Sequence, residues 1–337
     1  MVSALQSAAG DREDLVTVDE VTPEGARYSW SFKEGGAGAG RTEQGRFARF
    51  VRIEDLRSAP RLNPVYSSRD PERIPGTTAF SLSTASFREL QANGQTRLSL
   101  AEFEGGGLGG LFGGSGLEGL GTKRVYYKGT LLLASPTPVA IPLLINGRRA
   151  DVAVLHARGT FSLGSRQMQR EFWFAADPEH PLMLRAEGGS TVWQVIRVDF
   201  PGSASAAAME GDLERACRAE IPGVYFELGS ADLRPESERT LSMMAQLLAR
   251  HPAWTIAVEG HTDSLGTAAS NQALSARRAE AVRDALMSTH RVAPGRLTAL
   301  GFGATHPRES NGTLEGRARN RRVELVRPCK PTPNSRR

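Results

Sequence analysis

From about residue 47 to residue 200 the apolar positions come in short, alternating runs, the period of strands with one buried face. Residues 123–133 are rich in Val, Tyr, Thr and Leu, and residues 139–145 and 150–156 flank Asn146-Gly147. Asn and Gly tolerate the positive φ that a two-residue turn needs, so this pair predicts a hairpin. Residues 172–174 and 191–200 supply further strands, punctuated by Asp177-Pro178 and Gly188-Gly189. The pattern predicts an all-β domain over residues 41–200, a sandwich or a partly open barrel.

After Gly223 the rhythm becomes α/β. Residues 224–228 read as a strand, and Pro235 opens a helix where its missing N–H costs nothing. Glu236 and Glu238 suit the positive end of that helix; Leu241, Met244 and Leu248 form its apolar stripe, and His251-Pro252 stops it. Residues 255–259 alternate as a strand, 271–288 form a second helix, and 297–301 and 322–326 are strands around a short helix at 314–320. The chain is therefore α+β overall, with a C-terminal α/β domain over residues 221–328.

Between and around the two domains the composition shifts. Residues 1–40 are polar and end in a Gly-Ala run, which predicts a poorly ordered arm. Residues 105–121 contain ten glycines without the spacing or the Lys-Ser/Thr of a phosphate loop, so they read as a surface loop. Residues 201–220 read as a linker with a short helix at 212–219, and residues 329–337 as a basic tail. The net charge is +5, and residues 212–337, with nineteen Lys and Arg against fourteen Asp and Glu, carry all of it. A solvated surface plus the tail accounts for this excess, and Arg317, Arg319, Arg321 and Arg322 read as the solvated end of a domain rather than a nucleic-acid patch. No apolar run is long enough to cross a membrane as a helix. Residues 1–10 show no basic or apolar leader segment. Either the export signal is not part of this sequence or the protein is cytosolic.

The candidate chemistry gathers around the second helix of the C-terminal domain. On a helical wheel Leu274, Ala281, Val282 and Ala285 share one face with Arg278 at its middle, while Arg277 falls at the edge. An Arg so placed meets an anion, forms an internal salt bridge or snorkels to water. Just upstream, His261-Thr262-Asp263-Ser264-Leu265-Gly266 follows a strand directly, and ligands in α/β domains gather at the carboxyl ends of strands. A carboxylate at Asp263 and a guanidinium at Arg278, held a few ångströms apart, would match the ammonium and carboxylate of a zwitterionic amino-acid group.

The residues that carry this chemistry also carry a resemblance. Glu259-Gly260-His261-Thr262-Asp263-Ser264-Leu265-Gly266, Asn271, Leu274-Ser275, Arg278-Ala279, Gly301-Phe302-Gly303, Asn311-Gly312-Thr313 and Gly316-Arg317-Ala318-Arg319-Asn320-Arg321-Arg322-Val323-Glu324-Leu325 resemble the OmpA C-terminal family. That family includes the peptidoglycan-associated lipoproteins and the stator protein MotB. The resemblance covers about a hundred residues and implies a βαβαβ-type sandwich that grips the diaminopimelate of peptidoglycan without covalent chemistry. It assigns the acidic ligand position to Asp263 and the basic one to Arg278, with Asn271, Thr262, Leu265 and Arg321 as supporting pocket positions. Gly229 stands where a polar side chain often touches the ligand, so that contact is lost or supplied by backbone. The resemblance implies a Gram-negative envelope protein, periplasmic or on the periplasmic face of the outer membrane.

Other constellations are weaker. His261 beside Asp263 lacks the nucleophile of a triad and the further ligands of a metal site, so no enzyme, cofactor or metal is expected. Gly301-Phe302-Gly303 lacks the third glycine of a dinucleotide loop and reads as a turn. His156 and Trp193 read as packing residues of the β-rich domain. Cys217 and Cys329, the two cysteines of the chain, flank the C-terminal domain. If its first and last strands are neighbours they come within disulfide reach, and otherwise they are two thiols. Two functions follow: a wall-binding module that anchors a β-rich adaptor, or a structural or secretion-associated protein whose N-terminal domain binds an envelope partner.

Overall fold

The structure is a computed structural model that describes residues 1–7, 10–33, 44–66, 70–104, 123–200, 206–226 and 230–329. The glycine-rich loop at 105–121, Gly229 and nearly all of the basic tail lie outside the described residues. The chain divides into two compact units, Met1–Pro142 with Asp151–Val195, and Leu143–Ala150 with Ile196–Arg337. Its strands, in chain order, are β1 (Val2–Ser7), β2 (Gly10–Thr22), β3 (Gly25–Lys33), β4 (Gln44–Arg52), β5 (Arg61–Leu62), β6 (Glu72–Arg73), β7 (Gln95–Phe103), β8 (Arg124–Leu133), β9 (Val139–Ile145), β10 (Arg148–Leu163), β11 (Arg166–Ala175), β12 (Met183–Gly188), β13 (Thr191–Val198), β14 (Arg218–Glu220), β15 (Ile256–Gly260), β16 (Leu297–Gly301) and β17 (Val323–Val326). The helices are α1 (Ile53–Ser58), α2 (Thr84–Asn93), α3 (Ala206–Ala216), α4 (Glu238–Arg250), α5 (Ala268–Ser288) and α6 (Leu314–Asn320).

In the N-terminal unit the strands form one hydrogen-bonded path, β5-β7-β8-β10-β11-β12-β13-β1-β2-β3-β4-β6. Alternation decides which side chains fill it: Ala157 and Phe161 of β10 and Phe172 and Phe174 of β11 are fully buried, while His156 and Trp173 between them stack on each other, half-buried, across the strand pair. Trp193 is 1% exposed and stacks on Phe80, as expected of a packing residue. Helix α2 is capped as its sequence dictates, Ser83 accepting from the Ser86 amide and Gly94 (φ 70°) ending it in the left-handed region. The described residues up to Lys33 depart from the arm expected over residues 1–40, for β1, β2 and β3 pair in register. Ala4, Leu15, Val16, Ala26 and Trp30 are buried there, and so are the polar Ser3, Asp14 and Ser29, so the low hydrophobicity of the segment does not keep it out of the core. The predicted hairpin is present, with Asn146 (φ 51°) and Gly147 (φ 76°) both left-handed between β9 and β10.

The C-terminal unit is a four-stranded sheet of order β14-β17-β15-β16, β15 and β16 parallel and β17 antiparallel to both neighbours. Its core joins Ala219, Val258, Val323 and Leu325 of the sheet to Leu213, Met244, Leu248, Ala279, Val282 and Leu286 of the helices. The first strand of this sheet is β14; of the strand expected at 224–228, residues 224–226 are described, and Phe226 makes an isolated bridge to Leu233. The helix expected at 212–219 begins earlier, at Ala206. The alanines there are strong helix formers and extend it into the linker, and Cys217 (φ 59°) ends it. Residues 143–150 and 196–200 also belong to this unit, against the boundary read at 200. The Asn146 side chain accepts from the Phe200 amide, and the Tyr225 hydroxyl donates to Asp199.

Helix α5 lies on the sheet through a different stripe from the one expected. Asn271, Ser275, Ala279, Val282 and Leu286 are buried, whereas Leu274, Ala281 and Ala285 are half-buried. Backbone approach explains the rotation. A Cβ on Gly260 would meet the Ser275 carbonyl oxygen at 2.2 Å, and one on Gly301 the Ala276 nitrogen at 2.4 Å. Small residues on both elements let helix and strands touch, which leaves Arg278 on the flank of the buried stripe.

Candidate functional site

The loop after β15 is held from all sides. The Thr262 amide donates to the Gly303 carbonyl (2.9 Å) and the His261 amide to Arg322 (3.0 Å). Thr267 caps α5 by accepting from the Ser270 amide. Within the loop Asp263 Oδ1 accepts from the Leu265 amide (2.9 Å), closing an Asx turn. Asn271 spans the loop, its Nδ2 donating to the carbonyls of Asp263 (3.2 Å) and Leu265 (2.9 Å). Thr262, Asp263 and Asn271 are buried, while the Leu265 side chain is half-exposed at the rim.

Of the three predicted ionic residues, Asp263 and Arg321 are in contact here, and Arg278 reaches another segment. Asp263 Oδ2 is engaged by Arg321, at the C-terminal end of α6. Arg278 lies half-buried on α5, its Nε donating to the Ser230 carbonyl (2.9 Å) and its guanidinium 4.9 Å over the Phe226 ring. Arg278 therefore contacts Phe226 and Ser230, and Arg277 is exposed, as its place on the wheel predicts. Asp263 and Arg278 are expected to take the two charges of a ligand rather than each other, and Arg321, expected as a supporting pocket residue, forms an ion pair with Asp263. Sequence reasoning also passed over Ser230, Asn311 and Asn320, which hold these groups through backbone contacts.

Behind the loop a second charged group fills the far face of the sheet. Glu259 and Glu324 stand directly opposite each other on β15 and β17, a like-charge pair that is costly unless neutralised. Arg218 reaches both, and Arg308 and Arg322 also engage Glu324. Glu324 is fully buried, and burial pushes its pKa up, but the guanidinium of Arg322, with those of Arg218 and Arg308, overrides this and holds it down at about 2. His261 lies within 4.8 Å of both carboxylates. Three guanidiniums already compensate the two carboxylates, so a cation would enter a site of net positive charge.

His261 is 3% exposed and stacks on Phe302. Burial, reinforced by Arg322, lowers its pKa to about 4. The unfolded chain takes up this proton near pH 6.5 and the folded chain near pH 4, so the unit loses stability as pH falls through that window. The expected loss is about 3 kcal/mol. The depressed Glu324 adds a second loss from about pH 4.5 towards 2. Hydrogen exchange at the Val258 and Leu325 amides across pH 7 to 4 measures the first leg, and His261→Phe should remove it. Exchange-derived stability that is flat between pH 6.5 and 4.5 would contradict the assignment.

The cysteines close a bridge, with Cα atoms 5.6 Å apart. The strands that they flank are neighbours, Arg218 lying opposite Val326.

The model of the OmpA family matches residues 225–321. Over 124 residues the chain is 40% identical to the peptidoglycan-associated lipoprotein of Pseudomonas aeruginosa, covering 72% of that protein and 36% of this chain. The chain belongs to the OmpA family. Over 101 residues it is 45% identical to outer membrane porin F of Pseudomonas aeruginosa, covering 30% of this chain and 29% of the porin. The chain thus spans under a third of that relative's length. A solved peptidoglycan-associated lipoprotein from Burkholderia pseudomallei is 36% identical, with 31% of this chain and 87% of that one covered and a TM-score of 0.29. The OmpA match takes in the loop after β15, α5 and α6, so Asp263, Arg278 and Arg321 all fall inside it.

Proposed function

We propose that the chain binds peptidoglycan non-covalently through the diaminopimelate of its stem peptide, and that this anchors the β-rich unit in a Gram-negative envelope. The place would be the periplasm or the periplasmic face of the outer membrane. One observation carries the reading: a buried carboxylate at the carboxyl end of β15, engaged by Arg321 at the end of α6, in the loop that leads into α5, the helix that carries Arg278. Asp263 accepts from the ligand ammonium, and Arg278 clamps its carboxylate. The Thr262 hydroxyl is buried without a hydrogen bond, which costs about 1–3 kcal/mol unless a ligand group pairs with it. The name of the peptidoglycan-associated lipoprotein relative agrees with this ligand. The role is binding, with no covalent step.

We also infer that the β-rich unit is a partly open barrel serving as an adaptor. Glu72 on β6, at one end of the strand path, pairs with Arg124 on β8, near the other end. The Asn63 amide following β5 donates to Tyr126 of β8 (3.3 Å), and Arg49 of β4 donates to the carbonyls of Asn63 and Val65. These contacts support curling of the sheet on itself.

Selectivity tests the zwitterion mechanism. Lysine-type wall lacks the second carboxylate, so one charge-assisted contact, about 1.5–3 kcal/mol, is missing. Co-sedimentation should show retention on diaminopimelate-type peptidoglycan about 10- to 100-fold stronger than on lysine-type. Equal retention on the two walls rejects the mechanism.

A further inference from the structure

Asp263 is held in place by its neighbours in the chain. On its N-terminal side Thr262 is pinned to Gly303. On its C-terminal side the Ser264 amide donates to Asn311 Oδ1 (3.1 Å). Asn311 is in turn held at several points. Asn320 Nδ2 donates to the same Oδ1 (2.9 Å), and the Arg317 guanidinium to the Asn311 carbonyl (3.1 Å). Asn320 is fully buried, and its amide is filled on every side. Its Oδ1 accepts from the amides of Arg308 (2.7 Å) and Glu309 (3.0 Å), while its Nδ2 also donates to the Glu309 carbonyl (2.9 Å). The next residue along, Arg321, pairs with Asp263 itself. The end of α6 therefore grips the ligand loop twice, directly through Arg321 and indirectly through Asn320 and Asn311. The loop crosses α6 closely, since a Cβ on Gly316 would lie 1.9 Å from the Ser310 carbonyl oxygen, so Asn311 has a rigid base.

We propose that Asn311, fixed by Asn320, is a positioning residue for Asp263. It sets the backbone on the C-terminal side of the ligand carboxylate and so governs affinity without touching the ligand. The inference rests on the peptidoglycan-binding reading above. The side-chain atom that matters is an acceptor shared by two donors, which makes the role testable by chemistry rather than by deletion alone. An aspartate at this position keeps an acceptor for both Ser264 and Asn320, whereas an alanine keeps none.

The test uses the full chain with Asn311→Ala and Asn311→Asp, titrated with a soluble stem peptide containing diaminopimelate. Hydrogen exchange at the Ser264 amide is followed without ligand, and thermal unfolding checks the fold. Asn320 is left alone because its burial makes loss of folding the expected outcome. Asn311→Ala should raise Kd about five- to tenfold, the loss of one hydrogen bond's worth of positioning, and should deprotect Ser264. Asn311→Asp should restore both. Wild-type affinity in Asn311→Ala, or an aspartate variant as weak as the alanine one, overturns the proposal. If the wild-type chain itself fails to bind the peptide, the ligand assignment fails, and the Ser264 exchange still decides whether Asn311 holds the loop.

Discussion

Asp263→Ala should abolish retention of the chain on insoluble diaminopimelate-type peptidoglycan, lowering affinity at least about 100-fold. The substitution removes the acceptor for the ligand ammonium, one charge-assisted contact of about 1.5–3 kcal/mol. It also opens the Asx turn that orders the loop, by leaving the Leu265 amide without its acceptor. The fold should survive, because Arg321 is partly exposed and can hydrate once its partner is gone. Asp263→Asn separates the two effects, for it can keep the turn while removing the charge, and it should bind nearly as poorly. Arg278→Ala should weaken retention comparably by removing the carboxylate clamp, and Arg277→Ala should change little. Co-sedimentation of the four variants with purified wall, alongside their thermal unfolding, gives the answer. Wild-type retention in Asp263→Ala and Arg278→Ala would end the pocket assignment.

Replacing Cys217 and Cys329 by serine should cost the C-terminal unit about 4–5 kcal/mol, the entropy released when a loop of about a hundred residues is no longer closed. The bridge spans 112 residues, the greater part of the unit, so its removal frees the unfolded chain more than a local bridge would. Because domain stability is commonly 5–15 kcal/mol in all, such a loss should bring unfolding of this unit within reach of mild denaturant. Urea unfolding of oxidised wild type against the double-serine variant, followed by exchange at the β15 and β17 amides, measures it. Intact mass after alkylation without reductant checks the bridge itself. Two alkylated thiols in protein recovered from an oxidising compartment would remove the bridge.

Much of the C-terminal unit can be read from its residues. The strands at 256–260, 297–301 and 323–326 and the helices at 238–250, 268–288 and 314–320 lie within a few residues of their sequence patterns, because alternation and helical period are local properties. The buried face of α5 could not be read this way. Leu274 outranks Ser275 as an apolar residue, yet Ser275 is buried because Gly260 and Gly301 draw the helix backbone onto the strands. That is a contact between segments, and hydrophobicity along one segment does not contain it. Arg321 was named as a pocket residue, but its pairing with Asp263 depends on where α6 ends relative to β15. Asn311 and Asn320 act through carbonyls and amides, and a side chain that serves the backbone leaves little compositional trace. The N-terminal strands were hidden for another reason. Some of their buried positions are polar, Ser3, Asp14 and Ser29 among them, and a few buried apolar residues such as Trp30 are easily outvoted in a composition average.

The disulfide has a mechanical consequence. Strand β14 has three residues and sits at the edge of the sheet. In the anchoring role proposed above the unit is a tethered object, and tension arriving along α3 would meet that strand first and peel it from β17 one hydrogen bond at a time. Cys217 stands directly ahead of β14, and its bond to Cys329 passes the pull to the chain just beyond β17, a strand flanked on both sides. The short edge strand is thereby relieved of load, and the proposed ligand loop after β15 stays backed by an intact sheet while the tether is taut.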